Sequence, residues 1–132
     1  MKVLFLEIDT DSTWAVASIG TACLAAYLRQ QGHKADGLRV GLNMTSGQLL
    51  DQVRDYDPGL IGLSLTTRQW LRGREIAEDI RRQAGIPIIA GGLHPTFSPE
   101  QVLESFGFDF VCLGEGELAL VELVERMEAD RM

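Results

Sequence analysis

Ile88 to Leu103 reads IIAGGLHPTFSPEQVL. An apolar run passes into two adjacent glycines, then His94-Pro95, then a helix start. Ser98 stands at the N-cap position, Pro99 at the first helical position and Gln101 at the third. The stretch therefore predicts a buried strand, a loop and a helix in immediate succession. Two side chains are removed in a row where the chain leaves the core. Bare backbone at that point suits the close approach of something bulky.

The same order recurs along the whole chain. Val3 to Ile8 is a near-continuous apolar run ending at Asp9, as in a strand covered on both faces. Ser18 to Gln31 predicts a helix with Ile19, Cys23, Ala26, Tyr27 and Gln30 on one stripe, closed by Gly32. Lys34 to Val40 predicts a polar strand near an edge. Ser46 to Tyr56 predicts a helix with Leu49, Leu50 and Val53 inward, before an Asp57-Pro58-Gly59 turn. Leu60 to Ser64 is a buried strand, and Arg72 to Ala84 a charged amphipathic helix closed by Gly85. Pro87 to Ala90 and Phe110 to Leu113 are the last strands. Glu117 to Glu128 is the last helix, with Leu120, Val121, Leu123, Val124 and Met127 inward. Five strands alternating with five helices predict an α/β fold. It is an open five-stranded parallel sheet of order 2-1-3-4-5 with helices on both faces, flavodoxin-like or Rossmann-like.

Composition narrows the partners. The chain has 132 residues, enough for one domain, and a net charge of −7. That charge disfavours nucleic acid and anionic membrane surfaces, which need a basic face. No apolar run approaches the ~20 residues of a membrane helix. The opening MKVLFLEID is too short and too acidic for a signal peptide, so a cytoplasmic location is the expectation. Cys23 and Cys112 are the two cysteines, expected as small buried hydrophobes. Without CxxC or CxxxCxxC, a cysteine-bound zinc or iron–sulfur cluster on this chain is not expected. No linker or repeat interrupts residues 1–132, which read either as a whole small protein or as the first domain of a longer one.

In such a sheet, ligands bind beyond the carboxyl ends of the strands. Those loops read DTDSTW (Asp9 to Trp14), SLTTRQW (Ser64 to Trp70), GGLHPT (Gly91 to Thr96) and GEGE (Gly114 to Glu117). They combine hydroxyls, bare backbone and two tryptophans. A phosphoacceptor receiver domain would need an Asp where Ser64 stands and a Lys where Gly114 stands. A flavin phosphate loop would put its phosphate against Asp9 and Asp11. No GxGxxG follows the first strand, which disfavours a dinucleotide.

Ser64-Leu65-Thr66 after the third strand and Gly91-Gly92 after the fourth, with 24 residues between Thr66 and Gly91, resemble the cobalamin-binding domain. GGLHPTFSPEQVL, FDFVCLGEGE and IGTACLAAYLRQQGH extend that likeness over about Val3 to Glu125. They resemble the amino-terminal domain of cobalamin-dependent radical S-adenosylmethionine enzymes. The resemblance implies cobalamin held base-off, its nucleotide tail running along the sheet edge. Glycines would admit the planar base, and a serine hydroxyl would meet its ring nitrogen. The implied cofactor contacts are Asp9, Thr10, Asp11, Ser12, Thr13 and Trp14 after the first strand. After the third they are Ser64, Leu65, Thr66, Arg68 and Trp70. Gly91, Gly92 and His94 follow the fourth strand; Gly114, Glu115, Gly116 and Glu117 follow the fifth. One departure stands out. The methyltransferase and mutase branch carries Asp-x-His-x-x-Gly after its first strand, and here DTDSTWAVASIG has no histidine. The resemblance thus implies no histidine on cobalt and no metal ligated by this chain. The 4Fe-4S cluster, S-adenosylmethionine and their barrel would belong to a missing domain of the same parent chain. That parent would be a methyltransferase, this part its non-catalytic carrier.

Plainer readings stand beside these. Gly91-Gly92 also suits a tight turn, and Ser64 a strand end. His94 also suits a hydrogen-bonded loop residue, Trp70 a core residue, Arg68 a solvated charge. Glu115 and Glu117 also suit the positive end of a helix dipole, and Asp9 and Asp11 an Asx-turn. Arg68 under cobalt would discourage an axial ligand. The other function classes are a degenerate flavodoxin-like interaction or regulatory module and a flavin-binding electron carrier, which binding of coloured cofactor separates.

Overall fold

The structure is a computed structural model describing residues 1–10 and 19–130, Ile19 by its backbone alone. Five strands form one sheet: β1 (Lys2–Ile8), β2 (Lys34–Val40), β3 (Leu60–Ser64), β4 (Ile88–Gly91) and β5 (Phe110–Val111). Every pairing is parallel and the spatial order is β2-β1-β3-β4-β5. The helices are α1 (Ile19–Gln30), α2 (Ser46–Tyr56), α3 (Trp70–Gln83), α4 (Leu93–Phe97), α5 (Pro99–Glu104) and α6 (Glu117–Asp130). A single 3₁₀ turn, Thr67–Gln69, leads into α3. Among the described residues no helix is long and apolar enough to cross a membrane.

The element ends follow local chemistry. Gly32 ends α1 at φ 90°, where His33 N–H reaches Leu28 O at 3.0 Å and Gly32 N–H reaches Arg29 O at 3.1 Å. That pair of bonds is a Schellman motif, which only glycine enters without strain. A capping box opens α2. Thr45 Oγ1 accepts from Gln48 N–H at 3.1 Å, and Gln48 Oε1 accepts from Thr45 N–H at 3.0 Å. β2 lies at the sheet edge, as its polar sequence predicts.

Strand alternation sends side chains to two layers. Leu4, Leu6 and Ile8 of β1, Ile61 and Leu63 of β3 and Ile88 and Ala90 of β4 pack with α2, α3 and Val102 of α5. Val3 and Phe5 of β1, Leu60 of β3 and Ile89 of β4 pack with α1 and α6.

Four local expectations are corrected. The buried stripe of α1 is Thr21, Ala25 and Leu28, with Leu24 and Tyr27 half-buried, while Cys23, Ala26 and Gln30 are exposed. The small residues of TACLAA make two helical phases read as apolar, and the sheet selects the one bearing Leu28. Cys23 is accordingly exposed and Cys112 half-buried. The segment after Gly92 is the short helix α4, and Ser98 makes no side-chain cap on α5. Ser98 N–H instead closes α4 on His94 O at 2.8 Å, and Gln101 is taken by the His94 ring. β5 stops at Val111, leaving Leu113 exposed.

Candidate functional site

Sheet register builds a row of side-chain positions facing α1 and α6. Phe5 pairs with Gly62 and Gly62 with Ile89; one step further along, Ser64 pairs with Gly91. The first row is the floor of a narrow cleft of about 70 Å³, and the second is its rim. Thr21 and Leu24 of α1 and Leu120 of α6 wall it, with Cys112, Gly114 and Gly116 closing the side beyond β5. A wider mouth of about 310 Å³ adjoins it over β1 and β3, lined by Asp9, Thr10, Thr66, Arg68 and Gln69. Thr21 and Ser64 belong to both, so mouth and cleft are continuous.

The two glycines of the opening motif do different work. Gly92 has φ 98°, and a Cβ there would lie 2.9 Å from Leu65 N and from Ser64 Oγ. The fold itself demands glycine at that position. A Cβ on Gly91 would meet nothing nearer than Cys112 Cβ at 3.9 Å, an ordinary contact. Nothing in the protein's own packing requires Gly91 to be bare; a side chain there would simply occupy the cleft. Gly62 is bare because a Cβ would sit 2.8 Å from the Phe5 ring. It lets that ring lie flat on the floor.

Backbone polar groups around the cleft are already engaged. Leu65 N–H donates to Gly91 O at 2.8 Å, and Cys112 N–H to Ala90 O at 2.8 Å. His94 N–H donates to Leu65 O at 2.9 Å. Gly92 O accepts from Thr96 Oγ1 at 2.8 Å, and Thr96 Oγ1 in turn accepts from Gly114 N–H at 3.1 Å. The post-β3, post-β4 and post-β5 loops are thereby tied into one edge. Burial pushes the Cys112 thiol above its usual pKa, and the Glu117 carboxylate adds to that.

The mouth is held from the 3₁₀ turn, α3 and β2. Gln69 donates to Ile8 O at 2.8 Å and accepts from Thr66 N–H at 2.9 Å. Arg72 donates to Asp9 O and, at 2.7 Å, to Gly41 O. Arg39 donates to Asp9 Oδ1 at 3.1 Å. Each such bond contributes about 1 kcal/mol, and together they fix where Thr66 and Asp9 stand.

Of the residues expected from sequence, Asp9, Thr10, Ser64, Thr66, Arg68, Gly91, Gly92, Gly114 and Gly116 line the mouth or the cleft. Asp11, Ser12, Thr13 and Trp14 lie outside the described residues. Glu115 is exposed and Glu117 begins α6; neither lines the cleft. Leu65, Trp70 and His94 lie in the opposite layer, away from the cleft. Leu65 and Trp70 are core residues there. His94 is buried, its ring 4.8 Å from that of Trp70, which in turn stacks on Phe108 at 5.7 Å. Its Nε2 meets Gln101 Oε1 at 2.8 Å, and Nδ1 faces Thr67 Oγ1 at 3.4 Å. Sequence reasoning missed Phe5, Thr21, Leu24, Ile89, Cys112 and Leu120 as lining. The available signal was Gly62, a glycine inside a buried strand, which marks a close approach.

The family model for the B12 binding domain matches residues 11–124. This chain belongs to the B12-binding domain family. Its sheet order and helix placement are those of the family's solved members. The B12-binding domain is 26% identical, with a TM-score of 0.85, to the cobalamin-dependent S-adenosylmethionine radical enzyme OxsB solved with aqua-cobalamin and S-adenosylmethionine bound. That alignment covers 97% of this chain and 19% of OxsB. The radical S-adenosylmethionine methyltransferase TsrM of Kitasatospora setae shares the fold, with a TM-score of 0.87 at 21% identity over 98% of this chain and 26% of TsrM. An uncharacterized methyltransferase of Pyrococcus horikoshii, PH0819, is 30% identical over 99% of this chain and 30% of its own length. The chain thus spans less than a third of the curated relatives it matches. It is a B12-binding domain of the kind those radical enzymes carry.

Proposed function

We propose that this domain holds cobalamin base-off, with the nucleotide tail in the narrow cleft and the corrin over the mouth. The observation that carries this reading is Gly91. It is bare where the protein's own packing leaves room for a side chain, and it borders a floor made flat by Phe5 on Gly62. The residues present fit a flat apolar group with a polar edge. Ser64 at the rim offers a hydroxyl to a ring nitrogen; Phe5, Ile89 and Leu120 offer apolar walls. Asp9, Thr10, Thr66 and Arg68 at the mouth offer donors and acceptors suited to corrin side-chain amides.

No histidine binds cobalt in this reading. The chain has two histidines. His94 is held between Trp70 and Gln101 in the far layer. His33 lies just before β2, at the opposite end of the sheet, 3.5 Å from Glu128. Arg68 instead brings a positive charge to the mouth, where it disfavours a ligating nitrogen. Bound cobalamin would supply a cobalt–carbon bond able to deliver a methyl group.

The chain works as the carrier part of a longer radical S-adenosylmethionine methyltransferase, whose cluster and S-adenosylmethionine sit on another domain. Leu93, Phe97, Leu113 and Leu118 support this, because they flank the site and are 56–81% exposed. Apolar surface of that kind marks an edge that is covered in the complete protein.

Electron paramagnetic resonance of the protein loaded with cob(II)alamin tests the reading. Base-off, histidine-free cobalt shows no nitrogen superhyperfine splitting from an axial ligand. A nitrogen-split spectrum would overturn it. Arg68→Ala is expected to keep the protein folded and to allow added imidazole to bind cobalt more readily.

A further inference from the structure

The cleft also carries information about which cobalamin-like cofactor it accepts. Corrinoids differ in the base of their nucleotide tail. Some carry dimethylbenzimidazole, whose far edge is two methyl groups. Others carry adenine, which has an amino group and extra ring nitrogens on that edge. We propose that this site selects benzimidazole-type corrinoids over purine-type ones, and that its floor is the selecting element. The inference rests on the reading that the tail enters the narrow cleft.

The floor row is an aromatic ring, a bare backbone and a branched aliphatic chain: Phe5, Gly62 and Ile89. Leu24 and Leu120 face it from the two helices. All of these present carbon. Phe5 and Leu120 are 3% and 4% exposed, so a base reaching them is withdrawn from water. The nearby backbone carbonyls are already engaged by the protein itself. Gly91 O, Gly92 O, Leu65 O and Ala90 O each already accept a hydrogen bond from the loops themselves. Gly116 O accepts from Leu120 N–H at 2.8 Å. A purine amino group delivered to this floor would lose its water and meet carbon. An unsatisfied buried polar group is costly. A methylated benzimidazole edge would instead gain from burial. The rim hydroxyl of Ser64 serves either base, so it does not discriminate.

An apolar pocket rejects a polar near-isostere by about 10- to 100-fold. The test is a set of titrations of the full chain with three cobalt(III) corrinoids, followed by absorption and calorimetry. They are hydroxocobalamin, the adenine-containing cobamide, and cobinamide, which has no nucleotide. Hydroxocobalamin is expected to bind at least tenfold more tightly than the adenine cobamide. Leu120→Asn, which puts an amide on the wall facing the floor, is expected to narrow that gap. Equal affinity for the two cobamides, with both tighter than cobinamide, would overturn the selection while leaving tail binding intact. If cobinamide binds as tightly as either once the cost of detaching each base from cobalt is subtracted, the tail does not use the cleft, and both this inference and the reading beneath it fall. The comparison needs only the wild-type protein, so a poorly folding variant would not obscure it.

Discussion

The two faces of the sheet are built from the same strands and behave differently. Toward α2, α3 and α5 the layer is closed by stacked rings: Phe108, Trp70 and His94 follow one another at 5.7 and 4.8 Å. Toward α1 and α6 the equivalent strand ends carry Gly62, Ser64 and Gly91, and a cleft remains. Residues adjacent in sequence are divided between the faces. Ser64 lines the cleft and Leu65 is core; Gly91 borders the cleft and His94, three residues on, is stacked away from it. One face spends its side chains on packing. The other withholds them, and binding is proposed on that side.

The comparison predicts where substitutions act. Trp70→Ala should cost the most, about 3–5 kcal/mol of stability in urea denaturation, because it empties the ring stack of the closed face. A cost below about 1 kcal/mol would mean the stack is not integral to that face. Gly92→Ala should cost about 2–4 kcal/mol, from left-handed backbone strain together with contact against Leu65 backbone. Its neighbour should behave otherwise. Gly91→Val should shift stability by less than about 1 kcal/mol, yet weaken cobalamin binding at least tenfold, since the added methyls project into the cleft. If Gly91→Val unfolds the protein and Gly92→Ala does not, the two glycines have been assigned the wrong way round.

The smallest effect is kinetic and uses the two cysteines. Cys23 is exposed, whereas Cys112 is half-buried at the cleft with its thiol pKa raised. At pH 8, iodoacetamide should alkylate Cys23 first, because less of Cys112 is thiolate. Added cobalamin should slow Cys112 further and leave Cys23 unchanged, as mass spectrometry of the labelled peptides would show. Equal protection of both thiols would argue against a ligand confined to the cleft.

The fold was legible because its signals are local. Apolar runs, the Gly32 and Gly85 stops and the alternation of strand and helix name the five strands and every helix but the short α4, and handedness rules leave the observed order. The phase of α1 was not legible, because TACLAA is small-sided all round and the sheet chooses the face. The site was legible along its loops, where Ser64, Gly91, Gly114 and Gly116 announce themselves by residue type. Its floor was not. Phe5, Gly62 and Ile89 meet only through cross-strand register, which joins positions far apart in sequence. Trp70 and His94 mislead for the converse reason. They sit near lining residues in the chain, but Trp70 opens α3, which packs on the other layer, and the turn at Gly92 carries His94 there.

The central claim is that Gly91 and the floor beside it make room for a detached nucleotide tail. The most direct measurement is an absorption spectrum of the protein after mixing with hydroxocobalamin and gel filtration, run in parallel on wild type and Gly91→Val. The account predicts a retained base-off spectrum on the wild type, and its loss from a Gly91→Val protein that denatures like wild type. A colourless wild-type fraction, or a retained base-on spectrum, would contradict it.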